Sequence, residues 1–262
     1  MLNIGEIEYA NVYPIFYELK KNSLYKFIKS YPSVLNKALR DGGIDISCCS
    51  SIEYARHPEN YLILKNLSIS SIKEVKSVCL FSNYEIKYLE NKNIYLTDES
   101  GTSIVLLKVL LKKFLNINVS YSINKNDCDA FLYIGDKALY RFYNSEFKYV
   151  FDLGKLWYEF TGFPFVYALW LVNRGIIKEK KDILKDFYNK LVCIKANTKK
   201  NLSTLIDHYY FKGLTSYQII DYWETINYDL TLNHLNGLKI FYKYAYEIGE
   251  IKKVPKLEFL TF

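Results

Sequence analysis

The chain has 262 residues, half of them hydrophobic and 17% aromatic, so it can bury a large core and has no compositional sign of disorder. Its net charge of +7 reflects 35 basic and 28 acidic side chains, but the basic residues are mostly dispersed lysines, so we expect no nucleic-acid partner. Five cysteines without a C-x-x-C pair, and the lack of a signal-like or membrane-spanning apolar stretch, predict a cytoplasmic protein with reduced thiols and no membrane association.

Strand and helix patterns alternate along the first part of the chain, which is typical of α/β layers. Pro14 and Pro32 favour helix starts, and Gly42 with Gly43 follows a helix end. The predicted elements are a strand over 3–8, helices after Pro14 and over 33–40, a strand over 44–48, a helix over 50–56 and a strand over 75–81.

The alternation restarts at Asn83, which predicts a second lobe. An apolar run over 163–172 predicts a buried strand that returns the chain to the first lobe. The remaining predicted elements are helices over 83–90 and 103–115, strands over 93–96, 119–122 and 130–134, a helix from Asp136, and C-terminal helices over 180–196, 202–210, 216–225 and 230–248.

This order predicts two α/β lobes joined by two crossing strands, with a C-terminal helical segment packed on the first lobe. That is the plan of the type II periplasmic-binding-protein fold. We expect residues 1–82 to form the first part of lobe I, 83–170 to form lobe II, and 171–262 to return to lobe I with the C-terminal helices. Ligands of such folds bind between the lobes, at strand ends and helix starts.

The segment 96–103 combines a strand end, hydroxyl side chains and the start of a long helix. Ser100, Thr102 and Ser103, together with backbone N–H groups, can seat a carboxylate there by hydrogen bonds and the helix dipole. No Lys or Arg lies between residues 93 and 105 to add a counter-charge. Ser100 or Thr102 could equally serve only as the helix cap.

Other small polar residues follow predicted strand ends and are candidates for the same cleft. Asn11 and Asp136 could each be helix caps instead, and Gly135 supplies a turn. The three histidines have neither metal-ligand nor catalytic-triad spacing, so we expect no metal, and no phosphate-binding glycine loop occurs. The candidates outside segment 96–103 are Asn11, Ser50, Ser51, Ser77, Gly135 and Asp136.

Six motifs occur in register between Ile4 and Val172. Together they resemble the chorismate dehydratases of the futalosine route to menaquinone, members of the periplasmic-binding-protein-like superfamily. The motifs are Ile4-Gly-x-Ile-x-Tyr-x-Asn11-x-x-Pro14, Asp45-Ile-Ser-x-x-Ser50-Ser51-Ile-Glu-Tyr54, Val75-Lys-Ser77-Val-x-Leu-Phe-Ser82, Thr97-x-x-Ser100-x-Thr102-Ser103, Ile134-Gly-Asp136-x-Ala-Leu139 and Asp152-Leu-Gly-x-x-Trp157-x-x-x-Thr161-Gly-x-Pro-Phe-Val-x-Ala-x-Trp170.

The resemblance implies a cofactor-free lyase that dehydrates chorismate, a dicarboxylate, to 3-[(1-carboxyvinyl)oxy]benzoate. By similarity, Asn11 is the polar group at the reacting centre. An amide is no base, so we expect either the enolpyruvyl carboxylate of the substrate or Asp136 to accept the proton. Two alternatives remain: a non-catalytic cytoplasmic ligand-binding or sensor protein, and the enzyme of the same route that cleaves cyclic dehypoxanthine futalosine.

Two positions depart from the motif pattern. Lys73 stands where a glycine often precedes the strand at Val75, and Asp98-Glu99 brings acids near the expected anion seat. These acids would weaken carboxylate binding unless their side chains point away.

Overall fold

A computed structural model of the chain describes residues 1–97 and 99–262, and its strands form two five-stranded sheets. The first sheet has the strand order β2-β1-β3-β10-β4, in which β1, β2 and β3 are parallel and β10 runs antiparallel to both neighbours. Its strands are β1 (Leu2–Glu6), β2 (Tyr25–Lys29), β3 (Ile46–Ser50), β4 (Tyr61–Ser71) and β10 (Phe165–Asn173).

The second sheet repeats this plan with the order β7-β6-β8-β5-β9. Here β6, β7 and β8 are parallel, and β5 pairs antiparallel with β8 and β9. Its strands are β5 (Val78–Ser82), β6 (Asn93–Tyr95), β7 (Ser120–Ser122), β8 (Ala130–Ile134) and β9 (Tyr149–Asp152).

Helices cover the two sheets and fill the C-terminal part of the chain. They are α1 (Tyr13–Leu19), α2 (Pro32–Arg40), α3 (Ser51–Arg56), α4 (Gly101–Val109), α5 (Gly135–Tyr143), α6 (Leu153–Thr161), α7 (Lys181–Thr198), α8 (Leu202–Leu205), α9 (Ser216–Thr225) and α10 (Leu232–Glu247).

Two connections join the sheets, and the buried carboxylate of Asp152 ties them together. Residues 72–77 lead from β4 to β5, and residues 153–164 lead through α6 to β10. Oδ1 of Asp152 caps α6 by accepting from Gly154 and Lys155, while Oδ2 accepts from the backbone of Val75 and Lys76. One side chain thereby fixes both passages between the lobes.

The C-terminal helices pack across both lobes. Helix α7 lies against α1 and β4, whereas α10 contacts both β10 and α4, the helix that follows β6 of the second sheet. Aromatic contacts of Phe241 with Trp157 and Phe165 fix α10 in the core. The tail therefore reaches beyond the first lobe, on which the sequence placed it.

The predicted fold class is confirmed, with local differences. The predicted helix over 83–90 is only a 3₁₀ turn at Ile86–Tyr88. The predicted helix over 103–115 begins earlier, at Gly101, and changes to π-helical geometry at Leu110–Leu115. The sequence also missed β2, β4, β9 and α6.

Sheet membership changes at positions different from the predicted divisions. The prediction placed residues 78–82 in lobe I, but β5 pairs only within the second sheet. Residues 165–170, which the prediction placed in lobe II, belong to β10 of the first sheet. The sheet to which a strand belongs depends on which distant segments pair with it, and this pairing cannot be derived from a linear pattern of residues.

Candidate functional site

A narrow cleft lies between the lobes where the parallel strands of both sheets end. Its walls come from the ends of β1, β3, β6 and β8 and the segments that follow them, from the segment that leads into β5, and from strands β4 and β10. It holds about 70 Å³ of water-accessible space. None of the described residues that line it carries a charged side chain. Its polar lining consists of Tyr9, Asn11, Ser50, Ser77, Ser100, Ser103 and Tyr167.

The start of α4 forms one wall of the cleft. Ser100 caps the helix, since its Oγ accepts from the Ser103 N–H at 3.4 Å, and both residues line the cleft. The capping role of Ser100 and its place at the cleft are thus compatible. Helix α4 and helix α5 both begin at this wall, so their positive dipole ends favour an anion between the lobes.

Thr102 and Ser51 lie behind this wall and do not line the cleft. The Thr102 Oγ1 is 2.6 Å from Ser50 Oγ and 3.3 Å from Ser51 Oγ, and it accepts from the Ile52 N–H at 3.0 Å. Both residues are fully buried. This hydroxyl group therefore joins α4 of the second lobe to the start of α3 in the first.

Asn11 faces the cleft from the segment between β1 and α1. It does not cap α1, whose N-cap is Val12. Its Oδ1 is buried and has no hydrogen-bond partner among the described residues. A buried amide oxygen without a partner costs free energy, so this atom is available to a donor of a bound molecule.

Asp136 bridges the lobes from the first turn of α5. It is not the helix cap, a position held by Ile134, and its Oδ1 accepts from the Ala10 N–H at 2.9 Å. Burial raises its pKa from 3.8 to about 6; the Ala10 hydrogen bond opposes this shift and nearby Glu99 adds to it. The adjacent Gly135 has a φ of +57°, which glycine adopts without strain.

Tyr9 makes a second contact across the cleft. Its hydroxyl donates to Glu99 Oε2 at 2.7 Å, and the burial of Tyr9 together with that carboxylate raises the pKa of its phenol. Glu99 is thereby held by the opposite lobe and is not part of the cleft lining. Asp98, the other acid that the sequence marked as a concern, lies outside the described residues.

Ser77 lines the cleft next to the turn at Gly135. Its backbone carbonyl accepts from the Gly135 N–H at 2.8 Å, and its side-chain Oγ accepts from the Tyr222 hydroxyl at 2.9 Å. The Ser77 hydroxyl hydrogen is therefore free to point into the cleft.

The structure thus brings together Asn11, Ser50, Ser77, Ser100, Ser103 and Gly135 as lining residues. It adds Tyr9, which stands in the first motif but was not chosen as a site residue, and Tyr167, which no motif marks and which is one of 26 tyrosines in the chain. In the part of the chain that is described, no group of three or more His, Cys, Asp or Glu residues is placed to hold a metal ion.

A larger hollow of about 540 Å³ lies elsewhere, beside the connection from β4 to β5. It carries Lys73, Lys155 and Lys199 but also three glutamates. The position at which Lys73 departs from the motif pattern therefore belongs to this hollow and not to the cleft.

Comparisons with known proteins agree on a family and a fold. A family model described as menaquinone biosynthesis matches residues 2–247. The chorismate dehydratase of Thermus thermophilus is 30% identical, over 65% of this chain and 69% of that protein. The chorismate dehydratase of Campylobacter jejuni is 34% identical, over 71% of this chain and 72% of that protein.

Solved structures share the architecture at low sequence identity. A protein of Archaeoglobus fulgidus has a TM-score of 0.78 at 18% identity, covering 95% of this chain and 98% of that one. A Candida albicans protein, described as having the generic periplasmic binding protein fold, has a TM-score of 0.67 at 12% identity, covering 100% and 98%. Within residues 1–97 and 99–262, no helix has the length and hydropathy needed to cross a bilayer.

Proposed function

Since this chain belongs to the menaquinone-biosynthesis family that its motifs indicated, we propose that it dehydrates chorismate to 3-[(1-carboxyvinyl)oxy]benzoate. Identities of 30% and 34% to two chorismate dehydratases support this activity and favour neither the sensor nor the cyclic dehypoxanthine futalosine alternative. The observation that carries the proposal in the structure is the uncharged polar cleft onto which Asn11 and the start of α4 converge. Five free cysteines fit an enzyme of the cytoplasm.

The reaction removes one proton and one hydroxide, which leave together as water. The proton comes from the ring carbon that bears the enolpyruvyl ether, and that carbon is conjugated through a ring double bond to the ring carboxylate. Proton loss moves negative charge toward this carboxylate. Departure of the neighbouring hydroxyl then completes an aromatic ring, so no external oxidant or reductant is needed.

We assign the ring carboxylate to the start of α4. Hydrogen-bond donors there are held in place before the reaction and face the charge that grows as the proton leaves. Ser103, Ser50 and Ser77 supply hydroxyls at the cleft surface. Thr102 and Ser51 act behind them by fixing the position of Ser50 and the start of α3.

We assign Asn11 to the reacting centre, where its amide orients the departing hydroxyl. The unpartnered Oδ1 can accept the hydrogen of that hydroxyl, and the side-chain NH₂ can donate to its oxygen as negative charge develops. An amide of this kind directs the leaving group without exchanging a proton.

The enolpyruvyl carboxylate of the substrate is our proposed proton acceptor. It belongs to the enolpyruvyl group, whose ether oxygen is bonded to the carbon that is deprotonated, so it reaches the proton within the same molecule. Asp136 is the alternative base, and a pKa of about 6 suits that role. Its Oδ1 is already committed to the Ala10 N–H, and Asp136 does not line the cleft, which favours the substrate carboxylate.

Incubation of the purified protein with chorismate tests the proposal. We expect one equivalent of an aromatic product that keeps its enolpyruvyl group, detected by NMR, with no release of pyruvate. Asn11→Ala should lower kcat by about 10²-fold or more, because it removes the polar group at the reacting centre. Asn126→Ala, at an exposed loop position, is the matched control and should retain full turnover. Absence of the aromatic product from the wild-type reaction would contradict the proposed activity.

A further inference from the structure

Three buried aromatic side chains near the end of α9 donate hydrogen bonds to two residues that line the cleft, Ser77 and Asn11, and to Ala10 beside them. We propose that segment 222–228 is a positioning element for the active site, an inference that rests on the proposed dehydration. The three hydrogen bonds run from the Tyr222 hydroxyl to Ser77 Oγ at 2.9 Å, from Trp223 Nε1 to the Ala10 carbonyl at 2.8 Å, and from the Tyr228 hydroxyl to the Asn11 carbonyl at 2.9 Å.

Tyr228 is the direct support of Asn11. The segment that carries it is anchored on β4, since Asn227 exchanges two backbone hydrogen bonds with Ser70, each 2.8 Å long, and the Tyr228 carbonyl accepts from Ser68 at 3.0 Å. Tyr228 itself is only 5% exposed. Its hydroxyl therefore meets the Asn11 carbonyl from a rigid, strand-like base.

Trp223 and Asp136 hold Ala10, the residue before Asn11, from two sides. Trp223 is 1% exposed, stacks on Tyr13, and donates to the Ala10 carbonyl. Asp136, from the other lobe, accepts from the Ala10 N–H. The backbone at Ala10 and Asn11 is thus fixed by the C-terminal segment and by the second lobe together.

This arrangement matters because the Asn11 side chain has little support of its own. Its Oδ1 has no partner in the described part of the chain, so the direction of the amide depends on the backbone that carries it. A displacement of about 1 Å at a reacting group can lower a rate about 10²-fold. The Tyr228 hydroxyl contacts the Asn11 backbone and does not itself line the cleft. It is therefore a positioning group and not a catalytic residue.

Tyr228→Phe tests this inference because it removes the hydroxyl and keeps the ring. We expect kcat to fall about tenfold with KM changed less than twofold, since the cleft lining is unaltered. Tyr54→Phe is the control: Tyr54 is also buried, and its hydroxyl donates to the Lys256 carbonyl and accepts from the Glu258 N–H, both away from the cleft. Tyr54→Phe should keep the wild-type kcat.

The double variant Asn11→Ala/Tyr228→Phe separates positioning from a general structural effect. If Tyr228 acts through Asn11, its substitution should cause no further loss of kcat once the amide is gone. A tenfold loss that persists in the Asn11→Ala background would overturn the inference, as would a Tyr228→Phe enzyme with the wild-type kcat.

The side-chain amide NMR signal of Asn11 tests positioning independently of turnover. It can be assigned by its disappearance in Asn11→Ala. We expect Tyr228→Phe to shift or broaden this signal and Tyr54→Phe to leave it unchanged. A wild-type protein that leaves chorismate intact would refute the proposed function, whereas an Asn11 signal unaffected by Tyr228→Phe would refute the positioning role.

Discussion

Replacement of Asp136 by asparagine should stabilise the protein at neutral and alkaline pH. The pKa of Asp136 is raised from 3.8 to about 6, mainly by burial. The difference is 6 − 3.8 = 2.2 units, so full ionisation of the Asp136 carboxyl group lowers the free energy of unfolding by about 3 kcal/mol. Asparagine keeps an oxygen that can accept from the Ala10 N–H but carries no charge.

The sign follows from the direction of the shift. Because the pKa of Asp136 is higher in the folded than in the unfolded chain, the folded state retains the proton longer as pH rises. The stability that the protonated group contributes is present below pH 3.8 and is lost as pH rises through about 6. The free energy of unfolding of Asp136→Asn, relative to that of the wild type, should therefore increase by about 1.4 kcal/mol as the pH is raised from 5 to 8.

Urea unfolding of both proteins at pH 5, 6, 7 and 8 measures this difference. Asp127→Asn, at an exposed loop position, controls for the loss of one negative charge. A difference between Asp136→Asn and wild type that stays constant across this range would refute the raised pKa. The same variant reports on the mechanism: turnover near that of the wild type supports the substrate carboxylate as base, and a loss of about 10²-fold or more assigns the role to Asp136.

Two further substitutions test contacts that hold the fold around the cleft. Thr102→Val should lower the free energy of unfolding by about 1–3 kcal/mol in urea titrations, because the Ile52 N–H loses its buried acceptor. Thr261→Val, at an exposed position, is the control and should change it little. Equal unfolding midpoints for the two variants would contradict this role of Thr102. Asp221→Asn should lower the free energy of unfolding by about 1–2 kcal/mol at pH 7, because the buried Lys76 ammonium loses its nearer anionic partner, at 2.6 Å, and keeps only Glu74 at 3.6 Å. Burial acts to raise the pKa of Asp221, but hydrogen bonds from Lys76 and Tyr143 outweigh it and lower the pKa below 3.8. The stability that ionised Asp221 contributes should therefore fade as pH falls through the lowered pKa. A destabilisation by Asp221→Asn that grows in acid would contradict the pairing.

The sequence predicted elements whose signals are local. Helix α9 at Ser216–Thr225 and strand β8 at Ala130–Ile134 have the predicted bounds, because an N-cap pattern or a compact apolar run marks both ends. Strand β4 was missed because Lys65 and Asn66 interrupt its apolar pattern. Asn66 has a φ of +59°, where the pairing with β10 shifts register, so a bulge and not a loop explains the polar pair.

Part of the cleft was predictable because local sequence signals also mark the ends of the strands that border it. Asn11 and Ser100 follow strands, Ser50 ends one and Ser77 precedes one, and the strands of each sheet direct such residues to a common edge. The support that Asn11 receives from Tyr228 spans 217 positions of sequence and depends on tertiary packing alone. None of the site residues predicted from the sequence lies in the C-terminal helices, because nothing in their apolar spacing distinguishes a core aromatic from one that supports a cleft residue.

A crystal structure of the protein with 3-[(1-carboxyvinyl)oxy]benzoate bound would test the central claim most directly. We predict that the product lies between the lobes, with one carboxylate hydrogen-bonded at the start of α4 and the Asn11 amide facing the ring. Product bound instead in the hollow that carries Lys73, Lys155 and Lys199, with the interlobe cleft unchanged, would contradict the claim.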